Sequence, residues 1–173
     1  NTGAGKDDVT VTLTAGTDGF FNVNTEEGDD HVHASASTLP LVIFGGAGED
    51  LIEGGDGSDV IFGDLGRVDY RDAAGTLVTR LGFGLNERDT KEPGQTAVDD
   101  NDVPFHQTDG EVLAPTYITT RGPATGGTDD ISGNDGSDTI LGGASGDSLK
   151  AGAGNNTVFG DFGNIALTGG VMT

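Results

Sequence analysis

The chain has no cysteine, no tryptophan and two tyrosines, and it sets 8 Lys plus Arg against 29 Asp plus Glu. Without cysteine there is no disulfide framework, no thiolate metal site and no thiol nucleophile. Without a basic patch, and with a formal charge of −21, nucleic acid is excluded as a partner. No apolar run approaches the ~20 residues of a membrane-spanning helix, so no span is predicted. Large core formers are scarce, 8 Phe and 2 Tyr among 173 residues. A chain this acidic repels itself and has little apolar surface to offset the repulsion; binding divalent cations is the simplest remedy. Catalytic patterns are missing as well. There is no His-Glu-x-x-His, no Gly-x-Ser-x-Gly and no phosphate-binding Gly-x-x-x-x-Gly-Lys. Acidic pairs abound, but paired carboxylates without a cleft do not make a glycosidase. The sequence therefore predicts no enzyme, unless catalysis lies in another part of a parent protein. Residue 1 is Asn and no signal peptide is visible, which reads as a mature product or a piece of something longer.

Glycine is what the chain has in quantity, 32 residues, and it is not scattered. GGAGEDLIE at 45–53 and GGDGSDVIF at 54–62 are two perfect, adjacent copies of Gly-Gly-x-Gly-x-Asp-x-apolar-x. Weaker copies follow at 124–132 (ATGGTDDIS), 133–141 (GNDGSDTIL), 142–150 (GGASGDSLK) and 151–159 (AGAGNNTVF). Glycines at positions 1, 2 and 4 let the backbone take positive φ and turn tightly, which aims carbonyl oxygens at one point. The position-6 Asp adds a carboxylate there, and hard oxygen ligands of this kind suit Ca²⁺. Position 8 is always apolar: Ile52, Ile61, Ile131, Ile140, Leu149 and Val158. A short strand around it points position 8 inward and positions 7 and 9 outward.

This pattern resembles the nonapeptide of RTX (hemolysin-type) calcium-binding repeat proteins, including modules of large bacterial extracellular proteins. The resemblance implies an all-β fold, a parallel β-roll or β-helix solenoid with two nonapeptides per turn and several Ca²⁺ ions between stacked turns. It implies metal ligands at Asp30, Asp50, Asp59, Asp129, Asp138, Asp147 and Asn156. Turn backbone at Gly45, Gly46, Gly48, Gly54, Gly55, Gly57, Gly133, Gly136, Gly142 and Gly143 would complete the sites. It also implies a secreted or cell-surface bacterial protein, compatible with type I secretion.

The chain reads as one solenoid domain over 1–173. Residues 1–44 are expected to form irregular outer coils, since Gly5-x-Asp7-x-Val9 and Gly28-x-Asp30-x-Val32 keep the core of the repeat but not its spacing. Residues 45–62 are a first RTX-like block and 124–159 a second. Between them, 63–123 reads as an inserted hairpin over 63–82, a polar loop containing Pro93, Pro104 and Pro115, and a returning strand at 116–122. GDLGRV at 63–68 recurs as GDFGNI at 160–165, so 160–173 reads as the start of a second hairpin. Outward positions alternate in character. Val60/Phe62, Thr139/Leu141 and Thr157/Phe159 belong to one set of repeats, Leu51/Glu53, Asp130/Ser132 and Ser148/Lys150 to the other. One sheet is thus wet outside and the other greasy, and the phase holds across the insertion. One continuous roll follows, with Asp50, Asp129 and Asp147 stacked, and Asp59, Asp138 and Asn156 stacked. The neutral Asn156 makes the weakest site. The greasy stripe of Phe44, Phe62, Leu141 and Phe159 needs a cover, either the looped-out segment or a second copy of the chain. Uncapped ends would allow end-to-end association as well.

Other polar residues carry weaker signals. Asp56 and Asp135 at position 3 are expected to face solvent. Asp64 and Asp161 are expected to hold the turn into the hairpin. Asp99, Asp100 and Asp102 are an acidic loop, more simply solvated than metal-binding. His31 and His33 share one face of a strand, but with His106 the remaining histidine and no third ligand in view, a transition-metal pair is the lesser reading. The function expected from all this is a calcium-binding structural module, a spacer, adhesive or matrix and fibre component. The alternative is the RTX secretion and folding region of a toxin or hydrolase.

Overall fold

The computed structural model of the protein describes residues 1–14, 21–82, 114–169 and 171–173. Among these there is no helix, and the strands form three five-stranded sheets. The first contains β1 (Asp8–Thr10), β3 (His31–His33), β5 (Leu51–Glu53), β10 (Asp130–Ser132) and β12 (Ser148–Lys150), all parallel and in that order. The second contains β2 (Phe21–Asn24), β4 (Leu41–Phe44), β6 (Val60–Phe62), β11 (Thr139–Leu141) and β13 (Thr157–Phe159), also parallel and in that order. The chain alternates between the two, giving one strand to each per coil. The molecule is a parallel β-roll.

Most of these strands are three residues long because a glycine-rich turn closes each end. Only the central residue then points inward. Val32, Ile52, Ile61, Ile131 and Ile140 are all fully buried in the file of apolar side chains between the sheets. The roll is continuous through the insertion. Ile131 pairs with Ile52 on one side and Leu149 on the other, and Ile140 with Ile61 and Val158.

The coils of residues 1–44 are more regular than the sequence suggests. His31, Val32 and His33 pair in register with Leu51, Ile52 and Glu53, and Asp8, Val9 and Thr10 with His31, Val32 and His33. Residues 25–33 therefore stack on 45–53 as a nonapeptide unit. Thr25 replaces the first glycine and is fully buried, its hydroxyl donating to the Gly45 carbonyl at 2.6 Å.

The insertion and the segment after the roll together build the third sheet, from β7 (Gly66–Arg71), β8 (Leu77–Gly82) and β9 (Tyr117–Thr120) of the insertion with β14 (Asn164–Thr168) and β15 (Val171–Met172), ordered β15-β14-β9-β7-β8 and antiparallel. Strands β7 and β8 form the expected hairpin, its turn held by Asp72 accepting from the N–H groups of Ala74 and Thr76. Val68, Tyr70, Leu81, Ile118 and Ile165 of this sheet pack with Val42, Phe44, Val60, Phe62 and Leu141 of the roll. Phe44 and Phe62 stack with centroids 4.8 Å apart. The greasy stripe is thus covered by the chain's own insertion, with Phe159 partly buried at its end. The surface considered for a second copy is occupied in this way. Strand β14 follows Gly160-Asp161 as β7 follows Gly63-Asp64, and joins the same sheet beside β9. On the other face of the third sheet, the buried Asp69 carboxylate takes Arg80 Nε at 2.7 Å and Arg67 Nε at 3.2 Å. The acidic loop with Asp99, Asp100 and Asp102, and His106, lies outside the described residues.

Phe62 is the centre of this second core, fully buried between roll and hairpin. Truncating a buried Phe to Ala costs about 3–5 kcal/mol. Phe62→Ala should lower urea stability in excess calcium by that amount while leaving calcium-induced strand formation in place. Unchanged stability would mean that the third sheet does not pack on the roll in solution.

Candidate metal centre

At each switch between sheets the chain must reverse within a few residues, and the glycines show how. An added Cβ at Gly45 would lie 2.5 Å from Asp50 Oδ2, and one at Gly142 would lie 2.2 Å from Asp147 Oδ2. Where a unit begins with glycine, that glycine therefore clears room for the carboxylate of the sixth residue. Gly48, at φ +139°, passes so close to the Gly28 carbonyl of the neighbouring coil that a side chain there would overlap it.

Two ladders of position-6 side chains result, one along each edge of the roll. In the first, the N–H of Asp7 donates to Asp30 Oδ1 (2.7 Å), Asp30 to Asp50 (2.9 Å), Asp50 to Asp129 (2.9 Å) and Asp129 to Asp147 (3.1 Å). In the second, Leu41 donates to Asp59 (2.9 Å), Asp59 to Asp138 (3.0 Å) and Asp138 to Asn156 Oδ1 (2.8 Å). The stacking of 50, 129 and 147, and of 59, 138 and 156, is the one that the repeat phase predicts. Asp7 extends the first ladder; Gly5-x-Asp7-x-Val9 marks it as a degenerate repeat, but without the nonapeptide spacing the sequence does not place it among the ladder residues.

From Asp30 onward each aspartate rung accepts a backbone N–H through Oδ1. Asp59 accepts a second through Oδ2, from Gly55 at 2.8 Å. In the other aspartates the second oxygen is left over. Oδ2 of Asp7, Asp30, Asp50, Asp129, Asp138 and Asp147 is buried with no hydrogen-bond partner among the described residues. Stripping water from a carboxylate without supplying a partner is costly. Burial accordingly pushes Asp50 up to about 7 and Asp129 up to about 8, with the neighbouring aspartates adding repulsion. It pushes Asp59 and Asp138 up to about 6 and also raises Asp147. A column of buried, unpaired, hard oxygen atoms along the first edge, and Asp138 Oδ2 on the second, fit Ca²⁺ by donor type and by charge. Asn156 departs from this. Its Nδ2 donates to the carbonyls of Ala151 (3.1 Å) and Gly152 (3.3 Å), so the rung satisfies itself without a cation. Asp56 and Asp135 are exposed, as expected of position 3.

The insertion enters in the middle of one of these turns. Gly63 and Asp64 donate to the carbonyls of Leu141 and Gly142, as Gly45 and Gly46 donate to those of Phe62 and Gly63. Gly63 and Asp64 therefore hold positions 1 and 2 of the unit that Gly126–Ser132 completes. Ala124 and Thr125, which the repeat at 124–132 puts there by sequence alone, do not take those places. The geometry at Gly63 decides it, since its Cβ would lie 2.1 Å from Asp129 Oδ2. Asp64 closes the cut, accepting from the N–H of Gly127 at 3.0 Å and from that of Ala144 in the next coil. It holds the turn at the hairpin, the role expected of it, and burial pushes it up to about 6.

A scan against family models finds the RTX calcium-binding nonapeptide repeat, in four copies, over residues 42–67 and 132–164. The chain carries RTX repeats. They cover about a third of it, including the rungs Asp50, Asp59, Asp138, Asp147 and Asn156. A search of curated proteins and one of solved structures gave no match. No helix among the described residues is long and apolar enough to cross a membrane.

The raised ladder aspartates and Asp64 carry a pH prediction for the calcium-free chain. A carboxyl that protonates more readily folded than unfolded stabilises the fold fully below its unfolded value near 4, and loses that contribution as pH rises through its folded value. The window here runs from about pH 4 to about pH 8, set by Asp59, Asp64 and Asp138 at about 6, Asp50 at about 7 and Asp129 at about 8. In chelator, strand ellipticity should therefore be greater at about pH 5 than at pH 8. Equal spectra at the two pH values would count against burial of these groups in the metal-free chain.

Proposed function

We propose that this chain is a non-enzymatic, calcium-folded structural module of a secreted or cell-surface protein, acting as a spacer, adhesive or matrix and fibre component. The observation that carries the reading is the ladder of buried carboxylate oxygens along one edge of the roll, from Asp7 to Asp147, with Asp138 on the other edge, all without a hydrogen-bond partner among the described residues. Their arrangement calls for a cation between successive coils, so an environment rich in calcium would set the fold. The ligands are Asp7, Asp30, Asp50 and Asp129 with Asp147 along one edge, and Asp59 with Asp138 along the other, with carbonyls of the glycine turns. The recurrence of the hairpin exit at Gly63-Asp64 and Gly160-Asp161, both feeding one covering sheet, supports a repeating two-layer architecture over a loader for some other domain. Such a module extends along the stacking direction by about 4.8 Å per coil.

Small-angle scattering tests the spacer role. Two or three copies of the chain joined in tandem should lengthen stepwise in calcium, with an unchanged cross-section, and should collapse to coil-like scattering in chelator. Tandem copies that stay flexibly jointed in calcium would overturn the structural role while leaving calcium binding intact.

A further inference from the structure

The outer face of the first sheet holds a cluster that belongs to neither ladder. Val32 points into the roll, so His31 and His33 on either side of it point out. The register sets Glu53 beside His33 on one neighbouring strand and Asp8 beside His31 on the other. One ligand atom each from His31, His33 and Glu53 lie within 4.8 Å of one another. The two imidazoles are in contact, with ring centroids 3.4 Å apart. Nε2 of His31 is buried and has no hydrogen-bond partner among the described residues. His33 lies between two carboxylates, Nδ1 at 3.3 Å from Glu53 Oε2 and Nε2 at 3.3 Å from Asp8 Oδ1.

We infer that His31, His33 and Glu53 form a binding site for one zinc-class transition-metal ion, separate from the calcium ladders. The donor set decides the class of ion. Two imidazoles and a carboxylate suit zinc and its neighbours, whereas the ladders offer oxygen alone, which suits calcium. The distances decide the mode. Ligand atoms bound at ~2.0–2.2 Å to a tetrahedral ion lie roughly 3.4 Å apart, close to the present separation of His33 Nδ1 and Glu53 Oε2. His33 then binds through Nδ1 and donates its Nε2 proton to Asp8. That is the carboxylate–histidine–metal arrangement that fixes a ligand's tautomer. His31 contributes its buried Nε2, and the fourth position is left to water. Asp8 is a positioning residue in this scheme.

The test titrates Zn²⁺ alone into the full chain held in millimolar calcium, so that the oxygen sites are already filled, and reads binding against a chromophoric indicator. One zinc per chain is expected. His31→Ala and His33→Ala should each weaken it by about 100-fold or more, and the near-isosteric Glu53→Gln by about 10-fold or more. Asp8→Asn should weaken it by about 10–100-fold. His106→Ala should leave it unchanged. Co²⁺ in place of zinc should give the visible absorption of a tetrahedral nitrogen–oxygen site, absent in His31→Ala. Far-ultraviolet circular dichroism in calcium should stay the same in all variants, because the changed side chains lie outside the roll. No zinc retained in calcium, many weak equivalent sites, or equal retention by wild type and His31→Ala would each overturn the proposal.

Discussion

Removing calcium should unfold the roll. Chelator at neutral pH is expected to leave the chain largely coil by circular dichroism, and added Ca²⁺ to restore the strand spectrum cooperatively. Among the described residues six ladder carboxylate oxygens are buried without a hydrogen-bond partner, five along one edge and one, that of Asp138, along the other. Ionised, they repel one another through a low-dielectric interior. The apolar file between the sheets is narrow, essentially one inward Val, Ile or Leu per strand. A net charge of −21 adds repulsion over the whole surface. A site that does not exist in the unfolded chain converts binding energy into folding energy. Extracellular calcium modules work at roughly 10⁻⁴–10⁻³ M, and the midpoint of the titration is expected there. A chain that keeps its full strand spectrum in chelator at pH 7 would refute the dependence.

What could be read in the sequence follows the strictness of its period. Residues 45–62 keep all three glycines, the Asp and the apolar residue in phase, so the inward Ile52 and Ile61 and the stacked Asp50 and Asp59 were legible there. The alternating outward residues were legible too, and with them the stripe that the hairpin covers. Residues 25–33 were not legible as a unit. Thr25 and Glu26 stand where glycines are expected, and what replaces the glycine signal is a buried hydroxyl reaching the Gly45 carbonyl. The unit cut by the insertion was hidden for a different reason. Its first two residues, Gly63 and Asp64, are far in sequence from the four that finish its turn, and only stacking on Gly142 and Gly143 reveals the match. The histidine cluster lacked its third member for a related reason. Glu53 meets His33 through the register of two strands, and a strand register is not a property of either segment alone.

Two substitutions in opposite senses should resolve how the ladders work. Asp129 sits between Asp50 and Asp147 in the first ladder, and its Oδ2 is buried with no hydrogen-bond partner among the described residues. Asp129→Ala removes a ligand for the ions on both of its sides and leaves the Asp50 N–H without an acceptor. A buried unsatisfied N–H by itself costs about 1–3 kcal/mol, before any loss of metal. The calcium midpoint should rise by about 10-fold or more and the transition should broaden, while Asp56→Ala, at an exposed position 3, should match the wild type. Asn156→Asp should act in the other direction. The Asn156 amide now donates to the carbonyls of Ala151 and Gly152. A carboxylate cannot donate, so in chelator the variant places three oxygens face to face and should be less ordered than the wild type at pH 7. In calcium the same three oxygens become ligands. The variant should then bind one further ion, counted by equilibrium dialysis, and gain thermal stability over the wild type. If Asn156→Asp binds no additional calcium, the second ladder does not hold its ions between position-6 side chains, and the pairing proposed for Asp59 and Asp138 falls with it.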